Sequence, residues 1–153
     1  MWWKRKKKTE SADVPSWPNR EVSLHEVRDA LRAFSDHLPQ GVEMGTVINH
    51  DLTLNHELLA PYLKAVPTNT FYMSKETYEL FEEKDYDLAV ELDLIQQAVD
   101  KYIMQTKELP VIEGDPYRKV SFYKLESHHL LPERPNRDYF ITEEEHMVTY
   151  KKR

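Results

Sequence analysis

Two similar tetrads, Asn49-His50-Asp51-Leu52 and Asn55-His56-Glu57-Leu58, stand six residues apart. An imidazole beside a carboxylate can bind a transition metal or relay a proton. His50, His56 and Glu57 therefore form the candidate set for a small metal-dependent hydrolase. The helical zinc-protease pattern requires a second histidine four residues after the first, and Ala60 stands there instead. The competing reading is a helix-capping asparagine with exposed polar neighbours. His128, His129 and His146 form a second group, although paired histidines at a helix C-terminus also complement the helix dipole. The acidic run Glu143-Glu144-Glu145 lacks the glycine and alternating oxygen ligands of a calcium loop. No metal and no cofactor are expected.

The segment Met1 to Lys8 carries a different chemistry. Trp2 and Trp3 precede Lys4, Arg5, Lys6, Lys7 and Lys8. Indole rings favour the bilayer interface, and a basic cluster is drawn to anionic lipid. The expected consequence is weak, reversible contact with an anionic membrane. These five residues belong to a total of 21 basic side chains, leaving 16 against 27 acidic ones, a balance of −11 for the rest of the chain. Phosphate contacts dominate nucleic-acid affinity, so a body this acidic excludes nucleic acid as a partner. The aromatic set Phe71, Tyr72, Tyr78, Tyr117, Phe122, Tyr123, Tyr139 and Phe140 is accordingly read as core packing rather than as base stacking.

The elements that must hold these residues can be read from periodicity. Ser23 and Glu26 make a capping-box pattern, and Leu24, Val27, Leu31, Phe34 and Leu38 follow at helical spacing. Asn55 to Val66 reads as a helix shortened by Pro61. Phe71-Tyr72-Met73 reads as a strand entering a turn at Ser74 to Thr77. Residues 86–107 form the longest helix, with Leu88, Leu92, Ile95, Val99 and Tyr102 on one face. Its first residues, Leu88-Ala89-Val90-Glu91-Leu92-Asp93-Leu94, also alternate like a strand. Asp115-Pro116 predicts a helix start running to about His129. Asp138 to Thr142 and His146 to Lys151 predict a hairpin around the acidic run.

Of 153 residues, 40% are hydrophobic and 31% charged; glycine occurs 3 times, proline 9 times and cysteine not at all. Disulfides and thiolate metal sites are thus excluded. No run of about 18 apolar residues occurs, and none follows the basic start as a signal peptide requires. The expectation is a cytoplasmic protein without a cleaved signal.

A shift of 71 residues places Leu24, Val27 and Leu31 on Ile95, Ala98 and Tyr102, and Leu38-Pro39 on Leu109-Pro110. After a three-residue gap the shift is 68, and Phe71-Tyr72-Met73-Ser74 falls on Tyr139-Phe140-Ile141-Thr142. This predicts an α+β fold of two degenerate helix–helix–β-hairpin repeats around a shared core. The expected organisation is a tail over 1–20, a first repeat over 21–84 and a second over 85–153.

The stretches Ile95 to Tyr102, Glu108-Leu109-Pro110, Pro116 to Val120, Leu130-Leu131, Asp138 to Thr142 and Val148-Thr149 resemble a family of short uncharacterised proteins from Bacillus-type bacteria. That resemblance implies a Gram-positive source and no assigned activity. Together these readings favour a non-enzymatic interaction or regulatory protein with a protein partner, peripheral on the cytoplasmic membrane face. The hydrolase built on His50, His56 and Glu57 is the rival.

Overall fold

Ser23 accepts a hydrogen bond from the Glu26 N–H at 3.1 Å, and the Ser23 N–H donates back to Glu26 Oε2 at 2.7 Å. This capping box opens helix α1, Leu24–Asp36, whose buried face is Val27, Ala30, Leu31 and Phe34. The computed structural model describes residues 16–152. The architecture is α+β. The described residues divide into two units, one taking those up to Val47 with Asn55–Thr70, the other Ile48–Leu54 with those from Phe71 onward.

In the first unit, a 3₁₀ turn over Met44–Val47 follows α1, and helix α2 spans His56–Leu63. Asn55 caps α2 by accepting from the Leu58 N–H at 3.2 Å, and Lys64 ends it in the left-handed conformation. Val66, expected inside this helix, instead belongs to strand β2, Val66–Pro67. Its parallel partner is strand β1, Asn19–Arg20, which lies in the stretch expected to be tail. The Asn69 side chain acts as a substitute strand beside them: it donates to the Val22 carbonyl at 2.8 Å and accepts from the Val22 N–H at 3.0 Å. Phe34 of α1 meets Tyr62 of α2 edge to face at 6.3 Å.

The second unit is organised on helix α3, Tyr86–Thr106. Strands β3, Phe71–Met73, and β4, Leu80–Glu82, form an antiparallel hairpin. Helix α4 spans Phe122–Ser127, and strands β5, Phe140–Ile141, and β6, Val148–Thr149, form a second hairpin. Leu88, Leu92, Ile95, Val99 and Tyr102 are all buried along α3, as their spacing predicts. Three side chains of α3 bind other elements. Asp93 accepts from the turn between β3 and β4, Gln96 Oε1 accepts from the Val148 N–H at 2.6 Å, and Glu91 accepts from the Tyr139 hydroxyl at 2.6 Å.

Asp115-Pro116 does not open a helix. Asp115 Oδ1 accepts from the Tyr117 N–H at 2.8 Å and the Lys119 N–H at 3.4 Å, closing a turn in which Arg118 sits at a φ of +57°. The Ile112 N–H donates to the Lys119 carbonyl at 2.9 Å, and Val111 bridges Val120, so the segment is a tight hairpin. An aspartate side chain satisfies the N–H two residues on equally well in a turn and at a helix cap. Burial of Val120, at 1% exposure, pulls the chain into the hairpin. The helix starts only at Phe122, capped by Ser121.

Candidate functional site

The two tetrads that share a pattern adopt different local structures. Asn49 and Asp51 belong to a turn: Asn49 Nδ2 donates to Thr53 Oγ1 at 3.0 Å, and Asp51 accepts from both the Thr53 N–H and its hydroxyl. The Thr53 hydroxyl, and then its N–H, hold the Asp51 carboxyl below the usual range. Asn55, by contrast, is the cap of α2, with His56 and Glu57 in that helix's first turn. His50 is exposed, and its carbonyl accepts from Lys75 Nζ at 3.3 Å. Among the described residues, no three His, Asp or Glu side chains are grouped to hold a metal. His128, His129 and His146 are each exposed, and the His128 ring rests against Tyr102 at 4.9 Å. Trp2, Trp3, Lys4, Arg5, Lys6, Lys7 and Lys8 lie outside the described residues.

Of the aromatic set, Phe71, Tyr139 and Phe140 are buried, whereas Tyr78, Tyr117 and Tyr123 are exposed. The core reading therefore applies to Phe71, Tyr139 and Phe140 and not to Tyr78, Tyr117 and Tyr123.

A partly apolar concavity lies along the outer side of α3. It is a groove of about 550 Å³ between that helix and the loop from Leu130 to Asn136. Val90, Leu94 and Ala98 contribute the helix side, and Leu131, Pro132 and Pro135 the opposite wall. Leu94 is 55% exposed, on a helix whose other side is closed core. A volume of this size is within the range that takes a small ligand or a few anchoring side chains.

The loop wall is held by two ion pairs, one within it and one just after it. Arg134 pairs with Glu126 of α4, and Arg137 Nε donates to Glu91 Oε1 at 3.1 Å. The same Glu91 oxygen accepts from Tyr139, whose ring is wholly buried. Burial first, and then the adjacent Glu91 carboxylate, push the Tyr139 phenol well above its ordinary value. That hydroxyl is a fixed donor at neutral pH, anchoring α3 to the start of β5. Pro132 and Pro135 restrict the loop backbone and offer no N–H that would need a partner in an apolar wall.

The apolar residues of this groove escaped the sequence reading although a signal was present. Val90 and Leu94 interleave with the buried face at Leu88 and Leu92. Two helical stripes superposed over seven residues produce the alternation that imitates a strand.

No curated protein and no solved structure matches the chain. A family model described as "Protein of unknown function (DUF3939)" matches residues 18–150, and the chain belongs to that family.

Proposed function

We propose that the chain is a non-enzymatic interaction protein that binds a protein partner in the groove along α3. The observation that carries this reading is the exposure of Leu94 opposite an apolar loop wall. A leucine in that position gains by being covered, and apolar grooves rimmed by charge mark contact surfaces. Trp2, Trp3 and the basic run Lys4 to Lys8 add a weak bias toward anionic lipid at the cytoplasmic membrane face. The rival hydrolase has less support, because the residues flanking its histidines, Asp51 and Asn55, are committed to a turn and a helix cap.

The test is affinity capture with the immobilised full chain and its Leu94→Asp variant, each checked for unchanged circular dichroism. A partner that binds the wild type and is lost from the variant supports the reading. Equal capture by both overturns it. The membrane component is read separately, by co-sedimentation with anionic and neutral vesicles of the full chain and of a version starting at Glu10.

A further inference from the structure

The groove side of α3 is self-complementary about Leu94. Seven residues before it stands Asp87 and seven after it Lys101; four before it stands Val90 and four after it Ala98. These residues all line the groove and fall at the helical repeat of 3 and 4 that keeps them on one face. Among the described residues, neither Asp87 nor Lys101 forms an ion pair.

We infer that the occupant of this groove is a second copy of the chain, its α3 antiparallel to the first across a twofold axis at Leu94. The inference rests on the binding reading above and names the partner. In that arrangement Leu94, which is 55% exposed, meets its own copy. Asp87 meets Lys101 of the other chain, and the axis makes that ion pair occur twice. Glu91 and Gln97, three residues either side of Leu94, come opposite each other as acceptor and donor. A parallel pair would instead set Asp87 on Asp87 and Lys101 on Lys101, which repels. Charge thus selects the antiparallel arrangement, and the isologous contact is the commonest form of closed dimer. Asp87 to Lys101 spans about 21 Å of helix, so the contact is small and dimerisation depends on concentration.

The experiment is sedimentation velocity on the full chain over a concentration series, with parallel far-UV circular dichroism. The wild type dimerises with rising concentration. Leu94→Asp, which sets two carboxylates on the axis, is monomeric. Asp87→Lys alone and Lys101→Asp alone each weaken dimerisation about tenfold or more, and combining the two restores it. Because the chain has no cysteine, Leu94→Cys can report the axis directly: it forms a disulfide dimer on mild oxidation, whereas Met104→Cys, exposed but off the axis, does not. A wild type that stays monomeric throughout, or a dimer that survives Leu94→Asp, overturns the inference. If the wild type is monomeric while Leu94→Asp still abolishes partner capture, only the identity of the occupant fails. If Leu94→Asp changes neither measurement, the binding reading fails as well.

Discussion

The hydroxyl of Ser74 donates to the carboxylate of Asp93, nineteen residues along the chain, and both groups are buried. The same carboxylate accepts from the Lys75 N–H at 3.1 Å and the Glu76 N–H at 3.2 Å. Ser74 Oγ in turn accepts from the Thr77 N–H at 3.0 Å and its hydroxyl at 2.9 Å. One side chain of α3 therefore serves as the cap of the β3–β4 turn. Asp93→Ala leaves three donors without their acceptor, the buried Ser74 hydroxyl among them, and is expected to cost about 3 kcal/mol in a urea melt. Asp93→Asn, which keeps one acceptor oxygen, costs less. A loss below about 0.5 kcal/mol for the alanine variant would show that water replaces the carboxylate freely.

Gln96 does the corresponding work at the second hairpin. Its oxygen accepts from the Val148 N–H, and its nitrogen donates to Asp100 at 2.9 Å and to the His146 carbonyl at 3.3 Å. Gln96→Leu fills the space but strands the Val148 N–H, a loss of about 1–3 kcal/mol. Amide hydrogen exchange should localise it, with protection falling at Val148 and remaining intact in α1.

Tyr139 is expected to set the alkaline limit of the fold. Its folded-state ionisation is raised, so its contribution is fully present below the ordinary phenol value near 10 and is lost as pH rises. Tyr150 behaves alike: burial, with Glu79 beside it, pushes it up to about 12. Tyrosinate absorbance should therefore show late-ionising phenols that appear together with unfolding. Tyr139→Phe removes the hydroxyl donated to Glu91, lowers neutral-pH stability by about 1–2 kcal/mol and flattens the alkaline loss. An unchanged alkaline transition in that variant would assign the limit to other groups.

The acid limit has a local component at α1. The Arg20 guanidinium, and then the Ser23 N–H, lower the Glu26 carboxyl from the usual 4.5 to about 2. A lowered acid stabilises the fold above its unfolded value, and that support is lost as pH falls from 4.5 toward 2. Glu26→Gln should remove this part of the acid dependence. Ser23→Ala, which breaks the other half of the capping box, should cost about 1 kcal/mol at neutral pH. Thermal melts of both variants between neutral pH and the acid limit provide the check.

Local signals decided several elements before any tertiary contact entered. The capping box of α1 is complete within four residues. The buried face of α3 is set by Leu88, Leu92, Ile95, Val99 and Tyr102 at one spacing, and the β5–β6 hairpin by two apolar runs around an acidic turn. Each depends on neighbours within a few turns of chain, so the sequence alone determines it. Asp115-Pro116 is different, because an aspartate followed by proline serves a helix cap and a turn with the same hydrogen bond. Pairing of Val111 with Val120 decided between them. Leu94 illustrates the same limit for the candidate site. Its stripe on α3 is visible in the sequence, but its meaning depends on the Leu130–Asn136 wall, held more than thirty residues away by Arg137 and Tyr139 on Glu91. Periodicity specifies which face of a helix is apolar; only the folded chain determines which apolar face is left uncovered, because that depends on contacts distant in sequence.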